Sequence, residues 1–240
     1  MRPLVIVPAR LESTRLPEKL LLQESGKFLL QHTWEQACKA SRPTRVVIAT
    51  DHERLLQAAE SFGAEARMTR VDHASGTDRV AEAARALAAE GETFDLVVNV
   101  QGDEPELDPA VIDQLIGLME DDPEAAMGTL AEPLGDPAEV ELSQVVKVVR
   151  DRRGRALYFS RAPIPHGGEA LRHVGIYAYR PEFLQTFCEL EPAPIEQAER
   201  LEQLRALWHG HAIQVGVLEG PGARGIDTRA DYDAFLKRLG

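Results

Sequence analysis

Apolar positions fall into two alternating rhythms over the first half of the chain. Short, mostly β-branched runs at Leu4–Val7, Arg45–Thr50, Ala64–Met68 and the start of Asp95–Pro105 read as strands. Between them, apolar residues recur at helical spacing. The stripes are Leu30, Trp34, Ala37, Cys38, then Leu55, Leu56, Ala59, Phe62, then Val80, Ala81, Ala84, Leu87, and finally Ile112, Leu115, Ile116, Met119. Alternation of this kind predicts βαβ units on a parallel sheet. The boundaries carry local signals. Pro8 closes the first strand, Asp51 caps the second helix and Gly63 stops it. Ser75 with Asp78 forms a capping box, and Asp108-Pro109 opens a further helix.

Beyond residue 126 the rhythm changes. Runs at Met127–Ala131, Val145–Val149 and Ala156–Phe159 are separated by Pro, Gly and acidic turns, which predicts a meander or hairpin added to the parallel sheet. His173–Tyr179 alternates, so His173, Gly175, Tyr177 and Tyr179 share one face. Ile195–His209 reads as one helix with the stripe Leu201, Leu204, Trp208, and Ile213–Leu218 as a late strand. Thr228 with Asp231 caps a last helix that buries Tyr232, Phe235, Leu236 and Leu239. No long linker, repeat or low-complexity tract interrupts the chain. Residues 1–240 are therefore expected to form a single domain, with about 126–180 as a β-rich addition.

Composition narrows the function. With 240 residues and 44% hydrophobic content, the chain can bury one full core. The net charge of −12 argues against nucleic acid as a partner, because phosphate backbones demand a basic surface. No apolar stretch reaches membrane-spanning length and the first residues do not resemble a signal peptide, so a cytoplasmic protein is expected. Cys38 and Cys188 lie in apolar-periodic segments and read as buried, reduced thiols.

Charge is unevenly spread. No Lys or Arg occurs from Glu90 through Val146, whereas Arg10, Arg15, Lys19 and Lys27 cluster around the first loop. A small basic focus on an acidic protein suits a compact anionic ligand. The loop Pro8–Lys19 follows the first strand, where α/β proteins commonly hold phosphate. It has neither the Walker A spacing nor the dinucleotide-binding glycines, so any grip on phosphate must come from side-chain charge. Asp103 stands just past a buried strand on a Gln101-Gly102 turn, a place suited to a hard cation such as Mg²⁺. Taken alone, Asp103 is more simply a solvated turn acid, and Asp227 is weaker still. Arg161, His173, Tyr177 and Glu202 each admit a plain structural role beside a ligand role.

The ordered set is more specific than its parts. The segments include Ile6-Val7-Pro8-Ala9-Arg10, Ser13-Thr14-Arg15-Leu16-Pro17 with Lys19, and Asp72-His73-Ala74-Ser75-Gly76-Thr77-Asp78-Arg79. Asn99-Val100-Gln101-Gly102-Asp103-Glu104-Pro105, Tyr158-Phe159-Ser160-Arg161, His173-Val174-Gly175-Ile176-Tyr177, Leu201-Glu202-Gln203 and Ile226-Asp227-Thr228 follow in order. The chain resembles the 3-deoxy-manno-octulosonate cytidylyltransferases, also called CMP-Kdo synthetases, along nearly its whole length.

That resemblance implies a three-layer α/β/α fold of the nucleotide-diphospho-sugar transferase type, with a mostly parallel central sheet. It implies cytidylyl transfer from CTP to the acid sugar Kdo, giving CMP-Kdo and pyrophosphate for lipopolysaccharide or capsule synthesis, with Mg²⁺ and a homodimer. Carried over by position, Pro8, Ala9, Arg10, Ser13, Arg15, Lys19, Asp72, His73, Ser75 and Gly76 would contact the nucleotide. Gln101, Arg161, His173, Tyr177 and Glu202 would meet the sugar. Asp103 and Asp227 would hold Mg²⁺ and, with Lys19, serve catalysis. Two departures stand out. The family's first loop commonly reads Leu-Pro-Gly-Lys-Pro, whereas this chain has Glu18 and Leu20 at the Gly and second Pro. The segment Ala162–Arg172 is also short for the family. The 8-amino analogue of Kdo, another acid sugar, or a catalytically silent nucleotide sensor on the same fold remain alternatives.

Overall fold

The protein is described by a computed structural model covering residues 1–218, 220, 222 and 224–239. It divides into two compact units, Met1–Asp113 with Ala223–Gly240, and Gln114–Gly222. Both are mixed α/β, as the sequence pattern predicts.

The first unit begins with β1 (Pro3–Ala9), α1 (Leu29–Lys39), β2 (Arg45–Thr50), α2 (Glu53–Ser61), β3 (Ala66–Met68), α3 (Gly76–Ala89), β4 (Leu96–Asn99) and α4 (Pro109–Asp121), which carries the chain into the second unit. Its strands are all parallel, in the order β3-β2-β1-β4. Leu4–Val7 and Leu96–Val98 are almost wholly excluded from water, as expected of runs covered on both faces. The first strand does not stop at Pro8. It continues to Ala9, with Pro8 opposite Ala49. The Ile6 carbonyl accepts from the Val100 N–H, so the backbone of Ile6, and of Pro8 two residues on, faces the β4 side. The β4 ladder ends at Ile6–Asn99, so the missing Pro8 N–H costs no ladder bond.

Two local expectations fail here. Asp51 does not cap α2; His52 does, its ring nitrogen accepting from the Arg54 N–H at 3.1 Å. Cys38 is exposed and Cys188 half-buried, because the buried face of α1 is Leu29, Leu30, Thr33 and Ala37.

The second unit contains β5 (Met127–Pro133), α5 (Pro137–Val140), β6 (Lys147–Arg150), β7 (Ala156–Ser160), β8 (Leu171–Tyr179), α6 (Pro181–Glu189), α7 (Pro194–Glu199), α8 (Leu204–Trp208) and β9 (Ile213–Val217). Strand β5 lies between antiparallel β8 and parallel β9, and β6 pairs antiparallel with β7 and β8. A bulge interrupts the β5–β8 register, and the Thr129 hydroxyl fills it by donating to the carbonyls of Val174 and Ile176. Lys147 is fully buried in β6. Its ammonium donates to the carbonyls of Leu142, Val145 and Arg161, which satisfies all three protons.

The single helix expected over Ile195–His209 is two short helices. Arg200 adopts a left-handed conformation (φ 54°) and ends α7. The break is held by a local ion pair and by one side chain distant in sequence. Glu196 accepts both the Ala193 N–H and a two-pronged contact from Arg205, and Arg161 donates to the Glu199 and Arg200 carbonyls at the end of α7. Trp208, expected in the buried stripe, is 54% exposed.

The chain re-enters the first unit and ends in α9 (Arg229–Leu239). Thr228 and Asp231 form the expected reciprocal cap, and Tyr232 and Phe235 are buried. Leu239, also expected inside, is 52% exposed in the final turn.

Candidate functional site

The site grows from the carboxyl end of β4. After Asn99 the backbone turns sharply at Gly102, where a Cβ would lie 2.8 Å from the Pro8 carbonyl oxygen; only glycine allows β1 and this turn to come so close. The buried Thr33 hydroxyl of α1 donates to the Gly102 carbonyl at 3.0 Å, which fixes the turn that presents Asp103. The Asp103 carbonyl in turn accepts the Ile226 N–H at 2.9 Å, which draws in the segment carrying Asp227.

Lys19 completes this junction. Its ammonium donates to Asp103 Oδ2 (2.5 Å), the Ile226 carbonyl (2.9 Å) and Asp227 Oδ1 (3.1 Å). Three protons meet three acceptors, and one cation sits between two carboxylates. Arg15 reaches the same Asp227 oxygen at 2.8 Å.

A second network anchors the other end of the first loop. Asp51 accepts the Leu11 N–H at 3.2 Å and an Arg79 donor at 2.8 Å. This is why Asp51 does not cap α2. Arg79 is only 3% exposed and also donates to the Thr69 hydroxyl and the Arg70 carbonyl. Burial pushes its guanidinium below its ordinary value, and the charges of Asp51 and Glu82 oppose that. A buried cation with carboxylates beside it is satisfied electrostatically, and removing either side would be costly.

The loop before α3 is ordered by its own contacts. Ser75 and Asp78 form the capping box, His73 is bound to Glu82, and Glu82 also accepts the Arg70 N–H. Burial raises the Glu82 carboxyl, but hydrogen bonds from His73 and the Arg70 N–H outweigh it and hold the group below its usual range.

These parts enclose a cavity of about 330 Å³ within the first unit. Of the residues the sequence nominates, Pro8, Arg10, Ser13, Arg15, Lys19, His73, Ser75, Gly76, Gln101, Asp103 and Asp227 line it. Ala9 does not, being fully buried in β1, nor does Asp72, which is exposed and paired with Arg70. Arg79, not nominated as a site residue, also lines the cavity, as does Gly102, read from the sequence only as a turn. An Arg one turn into the capped helix, with an acid at the end of a neighbouring strand, was the available signal. Arg10 is exposed and has no ion-pair partner among the described residues. The cavity therefore combines four cationic side chains with the Asp103–Asp227 pair, an arrangement able to grip a polyphosphate.

The remaining nominated residues belong to the second unit. Arg161 donates to the carbonyls of Glu199 and Arg200 at the end of α7 and to that of Ser143 ahead of β6, so three of its five N–H groups are engaged. The His173 ring packs against Phe159 and Tyr177, with centroids 5.0 and 5.4 Å away, and shares a hydrogen bond with Thr129. Burial pushes its pKa down to about 3, so the ring is neutral at ordinary pH. Glu202 lies 4.0 Å from Arg205.

Residues 4–213 match the family model described as cytidylyltransferase. The chain belongs to the cytidylyltransferase family. Among curated cytidylyltransferases, the 3-deoxy-manno-octulosonate cytidylyltransferase of Chromohalobacter salexigens is 49% identical over 98% of this chain and 95% of its own length. That of Pseudomonas syringae is 48% identical over 98% and 97%. Among solved structures, CMP:2-keto-3-deoxy-manno-octonic acid synthetase complexed with CTP superposes with a TM-score of 0.93 at 39% identity, covering 100% of this chain and 98% of that one. The 4-diphosphocytidyl-2C-methyl-D-erythritol synthase of Anaerococcus prevotii, at 14% identity and a TM-score of 0.65, shares the cytidylyltransferase fold alone.

Proposed function

We propose that the chain transfers the cytidylyl group of CTP to 3-deoxy-manno-octulosonate, releasing pyrophosphate and forming CMP-Kdo. The observation that carries the reading is the convergence of Arg10, Arg15 and Lys19 with Asp103 and Asp227 on one cavity. The anomeric hydroxyl of the sugar gives up its proton to solvent as its oxygen forms a bond to the α-phosphorus, the bond from that phosphorus to the bridging oxygen breaks, and pyrophosphate departs with the electron pair. The protein's task is to position the reactants and offset charge. Arg10 and Arg15 bind phosphate oxygens, and Lys19 neutralises charge growing on the leaving group. Arg79 and Asp51 hold the first loop in place.

Mg²⁺ belongs to the same proposal. Asp103 and Asp227 already converge on a single cation, the Lys19 ammonium, and two carboxylates completed by phosphate oxygens suit this ion. Among the described residues no cluster of three or more His, Cys, Asp or Glu side chains is arranged for a metal, so phosphate and water would supply the remaining ligands. When bound there, the ion would supply Lewis acidity at the α-phosphate and acidify the attacking hydroxyl.

The proposal keeps Gln101 on the cavity wall and Arg161, His173, Tyr177 and Glu202 of the second unit as sugar-recognition residues. Arg161 retains two N–H groups for the sugar carboxylate, and neutral His173 suits hydroxyl recognition. Homodimerisation, a cytoplasmic location and a role in lipopolysaccharide synthesis complete it. No helix among the described residues is long and apolar enough to cross a membrane. The test is pyrophosphate release measured across CTP, UTP and ATP, each with Kdo, its 8-amino analogue and sialic acid. The proposal expects CTP with Kdo to be the best pair; a preference for another pair would overturn it.

A further inference from the structure

Glu18 occupies a backbone conformation that favours glycine. Its φ of 52° and ψ of 30° place it in the left-handed region, directly before Lys19 in a 3-10 turn over Lys19–Leu21. Lys19 and Leu20 both line the cavity, whereas Glu18 does not. Its carboxylate is turned to α2, where Arg54 grips it with a parallel fork, Nη1 to Oε1 at 2.5 Å and Nη2 to Oε2 at 2.8 Å. The Arg54 backbone N–H is fixed as well, by the His52 ring that caps α2. The Arg54 side chain thus ties the corner before Lys19 to α2, and the His52 cap steadies the helix turn from which it reaches.

We propose that Arg54 is a positioning residue for the polyphosphate grip: it holds the Glu18 carboxylate out of the cavity, so that a charged side chain can stand at a glycine-like corner without opposing the phosphates. This rests on the proposed binding of a nucleoside triphosphate. Glycine at this corner would need no such partner. With glutamate and no Arg54, an unpaired carboxylate one residue from Lys19 would compete with phosphate for Lys19 and Arg15. Both Glu18 and Arg54 are about half exposed, so the pair adds little to stability, and its effect should appear in ligand affinity.

The test compares Arg54→Ala, Arg54→Lys, Glu18→Gly and the double variant Glu18→Gly/Arg54→Ala. KM for CTP and kcat are measured with Kdo, and the Kd of inorganic triphosphate by calorimetry. Arg54→Ala should raise KM and the triphosphate Kd about 3- to 5-fold while kcat stays within about 2-fold. Arg54→Lys should recover part of the loss, since one ammonium cannot form the fork. The double variant should match Glu18→Gly. An Arg54→Ala defect that persists undiminished in the Glu18→Gly background, or no defect at all, would overturn the proposal. Wild-type protein that binds triphosphate but releases no pyrophosphate would sink the functional reading while leaving the Arg54 comparison decisive. Wild-type protein that does not bind triphosphate would contradict both.

Discussion

The Lys19 ammonium lies 3.1 Å from the carboxylate of Asp227, a residue 208 positions further along the chain. With Asp103 on its other side, Lys19 neutralises two acids that would otherwise repel each other. Lys19→Gln removes that cation while keeping the size of the side chain roughly constant. It should cost about 2 kcal/mol, or roughly 4–8 °C in Tm for a chain of this length. Because the two carboxylates are left facing one another, millimolar Mg²⁺ without nucleotide should raise the Tm of Lys19→Gln more than that of wild type. Equal shifts in differential scanning fluorimetry would speak against the acid pair as the metal site.

The Asp51–Arg79 pair joins a buried guanidinium to a partly buried carboxylate that fastens the backbone of Leu11. Removing Asp51 leaves an uncompensated guanidinium in the interior. Asp51→Ala should lose about 3–5 kcal/mol in urea unfolding, and Asp51→Ala/Arg79→Leu should recover part of that loss. If the double variant is less stable by the sum of two large single effects, the pair is not the unit it appears in the fold.

His173 gives the second unit a defined acid sensitivity. Its folded pKa, lowered by burial to about 3, lies below the ordinary 6.5, so the unfolded chain takes up a proton that the folded chain refuses. Stability from this group is full above pH 6.5 and is lost as pH falls from there toward 3. Between pH 7 and pH 5 wild type should lose about 2 kcal/mol that His173→Gln does not lose. Parallel stability profiles for the two proteins over that range would refute the assignment.

Much of the frame was legible because it is local. The apolar run at Leu96–Val98 and the glycine turn after it located Asp103 at the end of β4. The Ser75–Asp78 box fixed the start of α3. What failed was decided by side-chain partners that the apolar pattern does not show. Asp51 has the right spacing to cap α2, but Arg79, 28 positions on, claims its carboxylate. The apolar period continues through Arg200, yet Arg161 and the Glu196–Arg205 pair stabilise a left-handed break there. The nearness of Asp227 to Lys19 and Asp103 carries no local signal, and family resemblance alone suggested it. Glu18 illustrates the same limit. Glu18 precedes the phosphate-facing Lys19 in sequence, yet the fold directs its charge to Arg54.

The proposed transfer requires Asp103 and Asp227 to act together at the α-phosphate. The most direct measurement is kcat/KM for pyrophosphate release from CTP and Kdo in wild type, Asp103→Asn, Asp227→Asn and the double variant, with folding checked by Tm. Each single variant should fall about 100- to 1,000-fold, and the double should fall little further, as expected of residues that act as one unit. A single variant retaining near-wild-type turnover while remaining folded would contradict a shared role for the two acids.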